Sequence, residues 1–239
     1  MQRHKSTLIR PEPAVFLACA AGWFFAAGAV CAQPVPDSSA ANRVEVKAGD
    51  LHLTLETTPG GARLLSLTDA VGGQELLAEE PLPLFSATVR DTRTGELLTM
   101  SADSGWRQAD VSGPDATGGF RLTWAAPADE RLQGIRITAT LNPQDSESAL
   151  AWDLQIVNES PERGLWHVVF PQVAIRDLGQ AGRVFVPITA GVELADLWSK
   201  ANKKGGTYPS GWTCMQYLAA YNETTRTGLY TGVHVQPLG

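Results

Sequence analysis

Apolar and polar residues alternate along most of this chain, and this alternation restricts the fold more than any other feature of the sequence. In three runs, residues 51–55, 135–141 and 150–156, the apolar residues lie two positions apart. Each run predicts a β-strand with one apolar face and one solvated face, as in a half-buried antiparallel sheet. The segment closest to a helical pattern is residues 192–203, which predicts one or two helical turns at most. The alternation therefore indicates an all-β protein.

Turn-forming residues separate these runs at short intervals, which is typical of antiparallel sheets. The predicted turns lie at Pro59-Gly60-Gly61, Gly72-Gly73, Arg93-Thr94-Gly95, Gly118-Gly119 and Asn142-Pro143. This spacing predicts about a dozen strands, too many for a small sandwich. We expect one domain, a large antiparallel β-sandwich of two sheets.

The first residues carry a pattern of export rather than of the folded domain. Arg3, Lys5 and Arg10 precede a charge-free apolar run over residues 14–32, and Val30 and Ala32 occupy the positions that a signal peptidase reads. We predict a signal peptide over residues 1–32, a Pro- and Ser-containing linker over 33–42 and the sandwich domain over 43–239. The mature protein is then periplasmic or extracellular and leaves the membrane. A membrane-anchored form is the alternative, because the apolar run is long enough to span a bilayer.

Charge and cysteine content exclude several classes of function. The formal net charge of -6 makes the phosphate backbone of nucleic acid an unfavourable partner. Cys214 is the one cysteine after the signal peptide, so the sequence predicts no disulfide within the domain. The histidines are far apart and no Gly-x-Gly-x-x-Gly follows a strand, so we expect neither a metal nor a cofactor.

Three stretches carry a resemblance to a known architecture. Residues 61–69 form a strand-like run that closes on Asp69, and a glycine turn leads from it to Glu75-Leu76-Leu77. Residues 150–158 form a second run that closes on Asn158, and the following strand ends in Phe170-Pro171. The third stretch covers residues 208–234, with a Tyr-Pro turn, a Met-Gln-Tyr motif and a Gly-Leu-Tyr strand that reaches His234.

These stretches resemble the galactose mutarotase-like supersandwich that precedes the catalytic barrel in many glycoside hydrolases. The third is similar to the end of the sandwich in a family of uncharacterised bacterial glycoside-hydrolase-like proteins. In that family a His-Asp pair leads into the barrel; here His234 matches, and Val235 stands in place of the Asp. The resemblance implies a non-catalytic N-terminal sandwich of a secreted glycoside hydrolase, which packs on a barrel expected beyond Gly239. Carbohydrate is the implied partner of the parent protein.

Three other interpretations remain open at this point. A free-standing carbohydrate-binding module would hold polysaccharide without chemistry. A mutarotase-like aldose epimerase would need a histidine acid and a carboxylate base that reach one sugar ring. A structural sandwich of an envelope assembly would need neither.

The candidate binding residues lie in the third stretch. Tyr208 and Trp212 belong to a Pro-Gly loop and can offer flat apolar faces to a sugar ring. Gln216 belongs to the Met-Gln-Tyr motif, and His234 ends the last predicted strand. We interpret these four residues as substrate-binding or barrel-interface candidates.

No residue of this chain is predicted to be catalytic, because the paired carboxylates of a glycosidase would belong to the barrel. Alternation puts Tyr217 and Tyr221 on one strand face, and we expect at least two of the aromatic residues near the C-terminal end to be core. His167 is interpreted as a structural histidine in a strand that enters the core, and His52 and Asp153 as solvent-facing.

Overall fold

The computed structural model describes residues 41–144, 148–195, 198 and 217–232. Their regular structure is β-strand apart from one short 3-10 turn, Glu130–Leu132. The strands are β1 (Asn42–Ala48), β2 (Leu51–Thr58), β3 (Gly61–Asp69), β4 (Gln74–Glu75), β5 (Ser86–Asp91), β6 (Leu97–Ser101), β7 (Trp106–Ser112), β8 (Phe120–Pro127), β9 (Ile135–Gln144), β10 (Ala149–Asn158), β11 (Arg163–Val169), β12 (Arg183–Val186), β13 (Val192–Ala195), β14 (Tyr217–Asn222) and β15 (Thr227–Gly232). The all-β prediction is confirmed.

Hydrogen bonding divides the described strands among four small antiparallel sheets. Their strand orders are β1-β2-β3-β4 in the first sheet, β10-β9-β8-β7 in the second, β11-β5-β6 in the third and β13-β12-β14-β15 in the fourth. The antiparallel pairing is as predicted. The two large hydrogen-bonded sheets of the prediction are replaced by these four smaller ones, because alternation identifies strands but not the point at which one ladder ends and another begins.

A single hydrophobic core lies among the first three sheets. Trp124 of β8 is completely buried, and its ring packs edge-on against Phe85 at 4.9 Å between centroids. Its indole Nε1 donates to the carbonyl oxygen of Ala102 at 2.7 Å, so the one polar atom of this large side chain is satisfied. Burying a Trp side chain of this kind stabilises a fold by about 3–5 kcal/mol relative to alanine.

The fourth sheet has a small core of its own. Val184 and Val186 of β12 and Ala220 of β14 are buried there, and half-buried side chains such as Leu194 and Trp198 pack around them. Leu178 contacts both this cluster and the main core. The fourth sheet thus buries its Val184–Val186 side and leaves its opposite side to solvent.

Period-two alternation predicts burial well where the ladder is regular. Ile135, Ile137 and Leu141 of β9 are at most 2% exposed, as the pattern requires. In β2 the pattern fails at Glu56, which alternation assigns to solvent but which is 4% exposed. Leu53, Leu55 and Thr57 keep the buried alternation of β2, and the bulge at this point inserts Leu65 on β3 rather than a residue on β2. Arg43 and Arg63 bind the Glu56 carboxylate at 2.9 and 2.6 Å.

Most of the predicted turns connect strands. Polar side chains at the strand ends accept hydrogen bonds from the backbone of these connections. Asp69 Oδ1 accepts from the backbone N–H of Val71 at 3.0 Å, and Asn158 Oδ1 accepts from that of Ser160 at 3.1 Å. The turn predicted at Asn142-Pro143 is wrong, because both residues belong to β9. Leu141 is the last residue of β9 that pairs with β8. Pro143 lies beyond it, so the N–H that proline lacks is not needed for pairing with β8.

The helical turns predicted for residues 192–203 are also wrong in the part that the structure describes, because Val192–Ala195 forms β13. Hydrogen bonding to β12 makes this segment a strand in spite of its weak helical pattern. Among the described residues, none forms a helix of sufficient length and apolarity to cross a membrane.

Candidate functional site

The solvent side of the fourth sheet gathers aromatic residues from three strands. Phe185 of β12 pairs with Ala219 of β14, and Ala219 pairs with Tyr230 of β15, so all three side chains project from the same side. Tyr217, two positions before Ala219, shares that side. We call this surface, made by Arg183, Phe185, Glu193, Tyr217, Tyr221 and Tyr230, the aromatic face.

The three central rings of the aromatic face contact one another. The rings of Phe185 and Tyr217 are stacked with centroids 5.3 Å apart and planes 7° apart. Tyr230 lies 5.4 Å from Tyr217 with a tilt of 34°. Tyr230 is 58% exposed, whereas Phe185 and Tyr217 are half-buried. The two stacked rings therefore support a third ring that remains open to solvent.

Glycines beside the rings make room for this arrangement. A Cβ atom on Gly191 would lie 2.5 Å from Cζ of Phe185, and one on Gly232 would lie 2.7 Å from the hydroxyl oxygen of Tyr230. Gly191 also has φ +94°, a conformation that other residues seldom adopt. The end of the Phe185 ring can thus lie close to the backbone of the β12–β13 turn.

Polar side chains border the rings at one end of the aromatic face. The Tyr221 hydroxyl donates to Glu193 Oε2 at 2.6 Å, and Arg183 Nε lies 3.3 Å from Glu193 Oε1. The hydrogen bond to Glu193, followed by burial, raises the pKa of Tyr221 above its usual value. This hydrogen bond from the hydroxyl holds the Glu193 carboxylate in place. The carboxylate of Glu193 is half-exposed and retains lone pairs for further donors.

An apolar ring surface beside charged hydrogen-bonding groups suits a ligand with one apolar and one polar side. The C–H face of a pyranose packs on an aromatic ring, and its hydroxyl groups both donate and accept hydrogen bonds. Glu193 can accept from such hydroxyls, and Arg183 can donate to them. The aromatic face thus combines an apolar ring surface with hydrogen-bonding groups of both kinds.

The four predicted binding residues, Tyr208, Trp212, Gln216 and His234, lie outside the described residues, and so does Cys214. Their assignment stays a prediction. The aromatic face is built instead from strands that flank these positions, since β14 begins at Tyr217 and β15 ends at Gly232.

Core positions are expected for at least two of the C-terminal aromatic residues, and Tyr217 and Tyr221 do not hold them. The two residues share a strand face, as alternation requires, but the core side of β14 is the one with Ala220. The small residue packs inward because Val184 and Val186 already fill that side of β12. Trp198 does pack against this core, and its Nε1 donates to the carbonyl oxygen of Ile175 at 3.4 Å.

The histidine interpretation also needs a correction. His167 is exposed on β11, at the edge of the third sheet, and is not a core residue. His52 is half-buried, whereas Asp153 is exposed as predicted. Within the described part of the chain, no group of three or more His, Cys, Asp or Glu residues could hold a metal ion.

Sequence reasoning missed Arg183, Phe185 and Glu193. A usable signal was present in Arg183-Val184-Phe185-Val186, where valines alternate with one charged and one aromatic residue. This pattern predicts a strand whose outer side carries the Arg and the Phe. Comparisons of the chain with protein-family models, with curated proteins and with solved structures found no match.

Proposed function

We propose that this chain is a non-catalytic, carbohydrate-binding β-domain that holds sugar chains on the aromatic face. The observation that carries the proposal is the exposed ring of Tyr230, supported by the Phe185–Tyr217 stack and bordered by Glu193. A sugar ring would pack on Tyr230, and its hydroxyls would reach the charged end of the face. Aromatic residues with low conformational entropy are favourable anchors for such binding.

We further propose that the domain is exported and stands before the catalytic barrel of a glycoside hydrolase. The signal-like residues 1–32 and the three resembling stretches support this placement. In this proposal the four sheets together form the two layers of a supersandwich. Its support is the core shared by the first three sheets, in which Leu55, Phe85 and Trp124 come from different sheets or their connections.

The proposal is tested by affinity electrophoresis and calorimetry of the exported chain against neutral polysaccharides. Tyr230→Ala should weaken binding about tenfold or more, which corresponds to ~1.4 kcal/mol, because it removes the exposed ring. Tyr230→Phe should retain binding because the ring remains. Thermal unfolding of both variants should stay close to that of the wild type, since the residue is exposed.

Val71→Ala is the matched control, because Val71 is 78% exposed and lies in the β3–β4 turn. Its binding should equal that of the wild type. A folded wild-type chain that retains no tested polysaccharide would contradict the proposal. Accelerated mutarotation of free aldoses by the chain would support the epimerase interpretation instead.

A further inference from the structure

A cleft of about 310 Å³ lies beside the edge strand β11, in a different sheet from the aromatic face. Its lining residues are Arg90, Asp91, Thr92, Gly164, Leu165 and Trp166. The two walls of the cleft are tied together by hydrogen bonds. The backbone N–H and the hydroxyl of Thr92 both donate to the carbonyl oxygen of Glu162, at 2.9 and 3.1 Å. The cleft is therefore preformed.

A buried ion pair holds Asp91, one of the residues that line this cleft. Arg163 Nη1 contacts Asp91 Oδ2, and the two side chains are 11% and 7% exposed. The other carboxylate oxygen of Asp91 accepts from the backbone N–H groups of Arg93 and Thr94 at 2.8 and 2.6 Å. Both carboxylate oxygens of Asp91 thus bind groups of the protein itself, so Asp91 is not the residue that binds a ligand.

A β-bulge presents Trp166 to the solvent at the cleft. Leu165 pairs with Val89 and His167 pairs with Thr88, so Trp166 is the extra residue between two ladder pairs. Its side chain is 59% exposed. A bulge redirects side chains from their regular alternation, and here it leaves a large apolar ring in water. An exposed tryptophan is a frequent element of ligand recognition.

Arg90 adds a positive charge to this ring. Its guanidinium carbon lies 5.0 Å from the centroid of the Trp166 ring. Its cross-strand neighbours, Gly164 and Leu97, are uncharged. None of the ion pairs between described residues includes Arg90. In a chain of net charge -6, this cation is available to an anionic ligand.

We propose that the cleft binds an acidic sugar, such as a hexuronate unit of a polysaccharide. The C–H face of the sugar packs on Trp166, and its carboxylate takes two parallel hydrogen bonds from Arg90. The Thr92 hydroxyl, which donates to Glu162, retains lone pairs that accept from a sugar hydroxyl. This site uses no residue of the aromatic face, so it can fail or succeed independently of the proposed function.

The test titrates the chain with a tetramer of galacturonate and, separately, with its methyl-esterified neutral form. We expect the acidic tetramer to bind at least tenfold more tightly, and added NaCl to weaken its binding. Chemical-shift changes of the wild-type chain should centre on the Trp166 indole N–H. Arg90→Gln and Trp166→Ala should each weaken binding tenfold or more, while Tyr230→Ala should leave it unchanged.

Arg93→Gln is the matched control, because it removes the same charge from an exposed position in the adjoining turn. It should bind like the wild type. Equal affinity for the acidic and esterified tetramers would overturn the proposal, and so would equal losses in Arg90→Gln and Arg93→Gln. Competition by poly-glutamate as effective as that of the tetramer would show that the cleft binds an acidic peptide instead. Shift changes that leave Trp166 unaffected would also overturn it, whether or not the variants fold.

Discussion

At the scale of the residue, Asp91 shows how one carboxylate organises the turn after β5. The backbone N–H of Thr94, then that of Arg93, the Thr94 hydroxyl and the charge of Arg163 lower the pKa of Asp91 from 3.8 to about 2. Burial acts in the opposite direction but is outweighed. These bonds form only in the folded chain, so the ionised carboxylate favours folding.

This shift predicts a specific acid dependence of stability. The unfolded chain binds the proton of Asp91 more tightly than the folded one, so the contribution is present above pH ~3.8 and is lost as the pH falls toward ~2. Asp91→Asn should lower the urea midpoint at neutral pH and flatten its decline between those pH values. Asp153→Asn, a change at an exposed site of β10, should leave the profile unchanged. If the urea midpoint of Asp91→Asn falls with pH as steeply as that of the wild type, Asp91 is not the source of this acid dependence.

The hydrogen bonds by which Asp69 and Asn158 cap their turns join atoms a few residues apart, so local signals of the sequence can indicate them. The ion pair of Asp91 with Arg163 joins residues 72 positions apart. No local pattern can reveal such a partner. The extra residue of the bulge at Trp166 is hidden for a similar reason, since it depends on how β11 is aligned with β5.

At the scale of the element, β12 to β15 illustrate what alternation does and does not determine. The pattern groups Tyr217 with Tyr221 and predicts that they share a side. The pattern does not say which side of β14 meets the core. Ala220 can fill the core side only because Val184 and Val186 of β12 supply larger side chains there. The strands of the candidate site could thus be predicted, but their orientation could not.

The β12–β13 turn offers a test of how the fourth sheet holds its aromatic face. Gly191→Ala places a methyl group against the Phe185 ring at a backbone conformation that alanine disfavours. We expect a loss of about 1–3 kcal/mol in the free energy of unfolding, together with weaker polysaccharide binding. Gly232→Ala is the control, because the Tyr230 hydroxyl that it meets can swing away. Denaturant melts of both variants distinguish them, and equal destabilisation would contradict the steric argument.

At the scale of the whole molecule, the described chain has a large core and a small one. The main core joins three sheets and includes completely buried side chains such as Trp124, Leu122 and Ile137. Among the described residues, the small core has three buried side chains, all of them small or β-branched. Regions with few buried apolar contacts open at lower free energy than the rest of a domain.

Hydrogen exchange should therefore distinguish the two cores. Amides of β12 and β14 should exchange several-fold to many-fold faster than those of β8 and β9, because the fourth sheet can open without disrupting Trp124. Val184→Ala should increase the difference, whereas Trp124→Ala should accelerate exchange in all sheets. Mass spectrometry of exchanged peptides provides the measurement. Uniform protection across β8 and β14 would show that the two cores open together.

The aromatic face lies on the sheet with the smaller core. Ligand binding to this face is therefore coupled by mass action to the stability of the fourth sheet. A ligand on that face binds only when β12, β14 and β15 are assembled, so its binding free energy adds to that of the sheet. At a free ligand concentration of 100 times Kd the addition is about 2.7 kcal/mol. The small core on one side of the fourth sheet contributes little stability, and a ligand bound on the opposite side would add to it. Polysaccharide would then slow amide exchange in the fourth sheet while leaving exchange around Trp124 unchanged.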